Sequence, residues 1–210
     1  MLGVLVVVAL GAGTWWFFLR DGAPIQLGEP EHPIPDFSFD LSKVNGTAPG
    51  GEVQAQEVRG AADGIRETLD AMYVAGFVDP SKWEGGTFPE VLEQFEGSAA
   101  ERASADLAFL TLGGEADQVA FVEPAVGTLK IRVLLGEDRA PAGAVATTRF
   151  VGDGEFDDGA ALFVIHRGTY YLRPDGDRWL ITGYDVHGVV QPGSRPTGSG
   201  VDGTDTGATP

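Results

Sequence analysis

The sequence contains no cysteine, and this absence excludes several kinds of site. Without thiols the chain cannot form a disulfide, a thiolate zinc site or a cysteine nucleophile. Histidine is also scarce, since the chain has only His32, His166 and His187, and no pair of them has the spacing of metal ligands. We therefore expect no metal site and no cofactor.

Positive charge is the second deficiency. Lys and Arg number 14 against 31 Asp and Glu, which gives a net charge of −17. A chain this acidic repels the phosphate backbone of nucleic acids and the head groups of anionic lipids. We therefore expect neither nucleic-acid binding nor charge-driven adhesion to a membrane. Hydrophobic residues make up 43% of the chain, which is enough to build a packed core.

One long apolar run is present, at residues 1–19, and it carries no charged side chain. As a helix it would span about 28 Å, close to the thickness of the hydrocarbon layer. Four aromatic residues, at 15–18, close the run, and such rings favour the membrane interface. The alternatives are a cleaved signal peptide and a buried core helix. A signal peptide normally has a basic n-region, which this run lacks, and a core helix would not be apolar on all sides beside a proline-rich tether. We predict an uncleaved transmembrane anchor with the folded domain on the extracytoplasmic side, although Arg20 weakly favours the opposite orientation.

Composition divides the rest of the chain into three segments. Residues 20–50 are rich in proline and predict an extended tether, within which the alternating stretch 35–44 could dock as an edge strand. Residues 191–210 are dominated by Gly, Thr, Pro and Asp and predict a disordered tail. The folded domain is expected to cover residues 51–190.

The first half of this domain has helical patterns. Apolar residues recur at three- and four-residue steps over 53–76, which predicts a long amphipathic helix that Gly76 ends. Asp79 and Pro80 have the residue types of an N-cap and first helical position. Two capping-box patterns then predict helices over 87–95 and 98–110.

The second half of the domain has strand patterns. Apolar runs, several with alternating polar residues, predict strands over 119–122, 129–135, 145–151, 162–172 and 179–186. Helices followed by an antiparallel meander indicate an α+β fold, with the helices packed on one face of a curved sheet.

This order of elements resembles the NTF2-like superfamily, an α+β cone. The resemblance rests on LDAMYVAGFVDPSKW (69–83), after the long helix, and on GTYYLRPDGDRWLITGYDV (168–186), which forms the closing hairpin. Both segments look like the membrane-anchored NTF2-like proteins of actinobacteria, including Mce-associated ones. The superfamily contains isomerases, dehydratases, transport factors and non-catalytic binding modules, so the resemblance implies a fold rather than one activity.

The resemblance also implies where a pocket would lie. Ketosteroid-isomerase-like members use a carboxylate base and a Tyr/Asp oxyanion site inside an apolar cone. Here Asp106 and Asp185 are the carboxylates nearest to predicted apolar surface, but no residue pattern matches a catalytic motif, so we assign no catalytic residue. The candidate pocket or interface residues are Tyr73, His166, Tyr170, Tyr171, Trp179, Tyr184 and Asp185.

An acidic loop at 152–159 invites a calcium interpretation. Its carboxylates at 153, 155 and 157 match the first three ligand positions of an EF-hand loop. However, Asp158 stands where that loop requires Gly, and Val164 stands where it requires a bidentate Glu. We therefore interpret the segment as a solvated hairpin loop.

The last two predicted strands are apolar on both faces. Helices can cover only one face of the sheet, so the outer face must meet a second copy, a partner or the tether. We assign Val164 and Leu180 to that outer face, although alternation leaves the opposite assignment open. The sequence thus favours a non-catalytic, membrane-anchored binding or assembly module of the cell envelope, with a homodimer or an envelope protein bound through the outer sheet face. The alternative is a small-molecule enzyme, isomerase- or dehydratase-like, that uses the cone pocket.

Overall fold

The computed structural model describes residues 33–194. Within them the chain folds into helices packed on one sheet, so the predicted α+β class is confirmed. The α-helices are α1 (Ala55–Tyr73), α2 (Pro89–Leu92), α3 (Gly97–Ala105) and α4 (Leu107–Leu110). The strands are β1 (Asp40–Thr47), β2 (Val119–Leu135), β3 (Pro141–Phe156), β4 (Ala161–Asp175) and β5 (Arg178–Pro192), in the order β1-β2-β3-β4-β5.

The sheet is mixed rather than purely antiparallel. Strands β2 to β5 form an antiparallel meander as predicted, but with four strands rather than five, because the predicted strands 119–122 and 129–135 are parts of the single strand β2. β1 pairs with β2 in parallel, from Asp40 opposite Thr128 to Thr47 opposite Leu134. β1 belongs to the segment that composition assigns to the tether. The folded unit therefore includes this edge strand and extends on the N-terminal side of residue 51.

A carboxylate on α1 holds the start of β1. Asp70 accepts hydrogen bonds from Ser38 Oγ at 2.5 Å and from the Phe39 backbone N–H at 2.8 Å. Burial raises the pKa of Asp70, and the two hydrogen bonds oppose that effect. Phe39 is buried with its ring edge-on to Tyr73, at a centroid distance of 4.7 Å. The alternating phenylalanines of this stretch thus dock it as a strand.

Helix α1 buries the predicted stripe. Its apolar residues Val58, Ala62, Ile65, Leu69, Met72 and Tyr73 are all buried. The helix does not end at Gly76, because a π-helical turn, Val74–Val78, continues it. Gly76 is buried in that turn, where a Cβ would lie 3.3 Å from the Leu110 carbonyl oxygen. Asp79 then caps the next turn as predicted, accepting the Ser81 N–H at 3.0 Å.

The other helices form where predicted but begin and end differently. Neither α2 nor α3 has a side-chain cap from Thr87 or Ser98, because Phe88 and Glu96 occupy the N-cap positions. The helix predicted over 98–110 is broken at Asp106 into α3 and α4. Backbone geometry at these junctions, rather than the capping motif, sets the helix boundaries.

A β-bulge in β5 changes which side chains face the helices. We define the inner face of the sheet as the one that packs on α1, and the outer face as the opposite one. Tyr171 pairs with Gly183 while Leu172 pairs with Ile181, so Thr182 is the extra residue. Tyr184 consequently joins Trp179 and Ile181 on the inner face, although strict alternation predicts the opposite.

Of the two predicted outer-face residues of the last hairpin, one is assigned wrongly and the other correctly. Val164 lies on the inner face and is buried in the core. Leu180 lies on the outer face, opposite Arg173, but is only 7% exposed. The outer-face side chains that reach solvent are others, described below.

Within residues 33–194, none of the helices has the length and apolar character needed to cross a membrane. The predicted anchor, the start of the predicted tether and residues 195–210 lie outside the described residues.

Candidate functional site

Four polar side chains meet in the interior between α1 and the inner face of the sheet. The hydroxyl of Tyr73 lies 2.7 Å from Thr148 Oγ1, 2.7 Å from His166 Nδ1 and 3.2 Å from the Tyr170 hydroxyl. Three of these residues, Tyr73, His166 and Tyr170, are sequence candidates, and the structure brings them together. We call the four residues the buried hydroxyl cluster.

The partners of His166 fix the direction of every hydrogen bond in this cluster. His166 Nε2 lies 2.9 Å from the Phe109 carbonyl, which can only accept, so Nε2 carries the proton and donates it. In the neutral ring Nδ1 must then accept, and it does so from the Tyr73 hydroxyl. The Tyr73 oxygen in turn accepts from Thr148 and Tyr170. All donors in the cluster are thereby satisfied.

Burial keeps the cluster uncharged at neutral pH. It lowers the pKa of His166 to about 4, against the opposing effect of the hydrogen bond to Phe109. It also raises the pKa of Tyr73 and of Tyr170 far above the ordinary tyrosine range. The cluster is therefore a chain of neutral groups and holds no ionised base or nucleophile.

Aromatic rings fill the space around the cluster. Phe77 lies with its ring centroid 5.1 Å from that of His166 and 5.4 Å from that of Phe150. Tyr73 and His166 themselves have 0% of their surface exposed. A ligand could reach these polar atoms only if the core opened. The arrangement is that of a satisfied core network that ties α1, α4 and the sheet together.

A second polar group lies near the end of α3. The Tyr184 hydroxyl donates to Asp106 Oδ2 at 2.8 Å, and Arg102 Nε donates to the same oxygen at 3.2 Å. The Arg102 guanidinium also stacks on the Tyr184 ring, 4.1 Å from its centroid. Burial, with the hydrogen bond to Asp106, raises the pKa of Tyr184 to about 12. These contacts hold α3 against β5.

The remaining candidates lie apart from the buried hydroxyl cluster. Trp179 packs on α1, where a Cβ on Gly64 would meet its ring at 3.0 Å. Tyr171 projects from the outer face and is 49% exposed. Asp185 is exposed on the same face, with His187 Nε2 at 3.7 Å. The seven candidates therefore do not form one pocket.

Sequence reasoning missed Thr148. It lies on β3 between the buried Ala146 and Phe150, at an inner-face position. A polar residue in phase with apolar neighbours of a strand is the signal that could have identified it, because such a residue needs a buried partner.

The prediction of a solvated loop over 152–159 is wrong for most of the segment, because residues 152–156 belong to β3 and pair with β2 and β4. Only residues from 157 onward form the turn to β4. Asp158 Oδ1 accepts the Ala160 N–H at 2.9 Å, which stabilises the turn. No group of three or more potential metal ligands is found in the part of the chain from 33 to 194.

The outer face of the sheet combines exposed apolar residues with unpaired cations. Leu134, Tyr171 and Val189 are 41%, 49% and 44% exposed. Between them lie five basic residues, which we call the cationic stripe: Lys43, Lys130, Arg132, Arg149 and Arg167. No salt bridge joins any of the five to a carboxylate of the described residues.

In comparisons with known proteins, no protein-family model, curated protein or solved structure matches this chain.

Proposed function

We propose that this chain is a non-catalytic, membrane-anchored binding module of the cell envelope, of NTF2-like type, with its domain outside the membrane. One observation carries the proposal. The polar groups of the buried hydroxyl cluster are closed off and mutually satisfied, whereas the outer sheet face exposes Leu134, Tyr171 and Val189. Large apolar residues that stay exposed on a sheet face are a feature of protein contact surfaces.

The charges on the outer face favour a different protein over a second copy as the partner. A symmetric dimer stacked through this face would bring the cationic stripe of one copy close to that of the other. Like charges brought together at an interface oppose association. A partner that offers carboxylates between apolar contacts would match both features of the face.

Site-specific photo-crosslinking tests this role. A photoreactive phenylalanine analogue at Tyr171 or Val189 should give an adduct with one distinct membrane-associated protein. The same analogue at Phe109, which is 58% exposed on α4, is the matched control and should not give that adduct. In the Tyr171 probe, an added Val189→Glu substitution should weaken the adduct, because it places a carboxylate in the apolar contact.

Two crosslinking results would contradict a surface for a different protein partner. Equal crosslinking from Phe109 and from the outer-face positions would mean that the adducts reflect exposure alone. An adduct of twice the chain mass would instead identify a second copy as the partner.

The anchor is tested separately. The full chain should remain in the membrane fraction after an alkaline carbonate wash, because residues 1–19 carry no charge that would favour release. A chain that lacks residues 1–19 is the control and should be washed off. Recovery of a mature protein that starts after Gly11 would show cleavage and end the anchor hypothesis.

The alternative role, a small-molecule enzyme, has one observation in its favour. His166, Tyr73 and Tyr170 converge in an apolar environment, and the pKa of His166 is strongly lowered. An enzyme of this kind would need the core to open to its substrate. A His166→Gln variant that folds and still forms the outer-face adduct would support the binding role, whereas an adduct that needs the imidazole would favour chemistry at the cluster.

A further inference from the structure

The cationic stripe concentrates positive charge, which is scarce in this chain. Five of the chain's 14 Lys and Arg residues lie on three neighbouring rows of the outer face. Two acids lie in those rows, both at the edges of the sheet: Asp40 on β1, opposite Thr128, and Asp185 on β5, whose near neighbour is His187 at 3.7 Å. In a protein with net charge −17, this is an island of positive potential.

Cross-strand pairing places like charges of the stripe directly opposite each other, which destabilises the sheet in the free protein. Lys43 lies directly opposite Lys130 in the β1–β2 register, and Arg149 lies directly opposite Arg167 in the β3–β4 register. Paired positions are about 4.8 Å apart, and like charges directly opposite each other destabilise a sheet. Carboxylates are abundant in this chain, yet within residues 33–194 no salt bridge neutralises either pair. An anionic ligand would relieve both repulsions.

Arg149 provides an independent sign of a missing partner. Its Nε atom is buried and has no hydrogen-bond partner. Such donors are rare in folded proteins, because an unpaired buried N–H loses its hydration without compensation. In the β2–β3 register Arg149 is diagonally across from Lys130, so it belongs to the same stretch of basic residues.

A shallow groove marks one end of the stripe. It has a volume of about 250 Å³, and the polar side chains that line it are Lys43, Asn45, Lys130, Arg132 and Thr147. Each of them can donate hydrogen bonds, and no carboxylate lines the groove. Val145 contributes an apolar wall. The volume suits a small group rather than a folded partner.

We propose that the cationic stripe binds a small ligand that carries a doubly charged phosphate group or a diphosphate. Paired lysines supply point charges, while Arg132 supplies the planar donor fork that matches phosphate oxygens. A single carboxylate carries half the charge of a phosphate dianion and would leave more of these donors unpaired.

The ligand must be short. The stripe crosses three strand spacings, from Lys43 on β1 to Arg167 on β4, or about 14 Å. A long polyanion would extend past it onto a domain that is acidic overall, and repulsion there would offset the gain. The same chemistry could come from a soluble phosphate compound or from the head group of a phosphate lipid.

The test measures binding to the full chain in a non-ionic detergent by calorimetry. Inorganic pyrophosphate represents the soluble source, and short-chain phosphatidate below its micelle concentration represents the lipid source. At least one should bind, and binding should weaken as salt is added, because exposed charges are screened. Sulfate at the same concentration is the comparison anion. Tighter binding of pyrophosphate assigns the soluble source, and tighter binding of phosphatidate assigns the lipid source.

The double variant Lys43→Gln, Lys130→Gln should weaken binding at least about tenfold, since it removes two charge-assisted contacts. Its thermal stability without ligand should not fall, because the substitution removes a repulsive pair. The matched control is Arg59→Gln, Arg178→Gln, which removes the same charge from exposed positions off the stripe and should leave binding within about twofold, since their charges are screened by solvent.

Three results would overturn the proposal: no binding of either phosphate probe at millimolar concentration, equal affinity for sulfate, which would indicate an adventitious ion only, or equal losses in the two double variants. The stripe uses none of the three exposed apolar residues of the partner surface. The phosphate-binding test and the crosslinking test are therefore independent, and a negative result in one does not contradict the proposal that the other tests.

Discussion

Trp179→Ala should destabilise the folded domain by about 3–5 kcal/mol, the usual cost of truncating a buried large aromatic residue. Trp179 is only 6% exposed, and its ring fills the space above Gly64 on α1. Its carbonyl oxygen also accepts a hydrogen bond from Thr68 Oγ1 at 3.1 Å. The side chain therefore joins the last hairpin to the long helix, and its loss leaves a cavity at that junction.

Chemical denaturation of residues 34–194 measures this loss. The control is Arg178→Ala, the exposed neighbour in the same hairpin, which should change the free energy of unfolding by no more than about 0.5 kcal/mol. A loss below about 1 kcal/mol for Trp179→Ala would mean that the ring does not pack on α1. Since a domain has roughly 5–15 kcal/mol of stability, the expected loss is a large fraction of the total.

The sequence could predict the elements that depend on local periodicity. The stripe of α1 and the apolar strands of the meander follow from side-chain spacing alone, and the structure confirms both. Helix ends were less predictable, because Gly76 is accommodated by a π-helical turn that packs beneath Leu110. Nothing in local spacing shows that a close helix contact needs a small residue at that position.

Face assignment failed where the strand is irregular. Strict alternation predicts that Tyr184 opposes Trp179, but the bulge at Thr182 places both on the inner face. Val164 was assigned to the outer face for a related reason: both faces of the strand are apolar, so alternation cannot tell them apart. Only the pairing with neighbouring strands shows which face of such a strand packs on the helices, and this pairing joins residues far apart in the sequence.

For the candidate site, too, the sequence could indicate residue types but not long-range contacts. Tyr73, His166 and Tyr170 were identified by residue type, but the contacts of Tyr73 with the other two join residues 93 and 97 positions apart. The like-charge pairs of the cationic stripe were invisible for the same reason, because Lys43 reaches Lys130 only through the parallel pairing of β1. The net charge of the whole chain is strongly negative, so composition alone gives no indication of a local surface with positive charge.

The stability of the domain should also fall between pH 6.5 and pH 4 because of His166. Burial lowers the pKa of His166 from 6.5 to about 4, so over this range the unfolded chain binds a proton that the folded chain does not. The stabilisation is complete above pH 6.5 and is lost as the pH falls toward 4. It amounts to about 3 kcal/mol, at 1.36 kcal/mol for each unit of pKa. Below pH 4 this residue makes no further difference.

The matched variant for this prediction is His166→Gln, which keeps an amide donor and an amide acceptor but does not titrate. The wild-type domain should lose about 2–3 kcal/mol more than this variant between pH 7 and pH 4.5, with carboxylate titration common to both. The imidazole signals of His166 in an NMR titration should stay those of the neutral ring down to about pH 5, which tests the idea even if the variant fails to fold. Protonation must place a hydrogen on Nδ1, where Tyr73 now donates, so the Tyr73 hydroxyl would have to turn its single hydrogen toward Thr148 or Tyr170 and reverse one of those two hydrogen bonds. A midpoint near 6.5, or equal losses in the two proteins, would mean that water reaches the cluster and that the interior is an open pocket, which would revive the enzyme hypothesis.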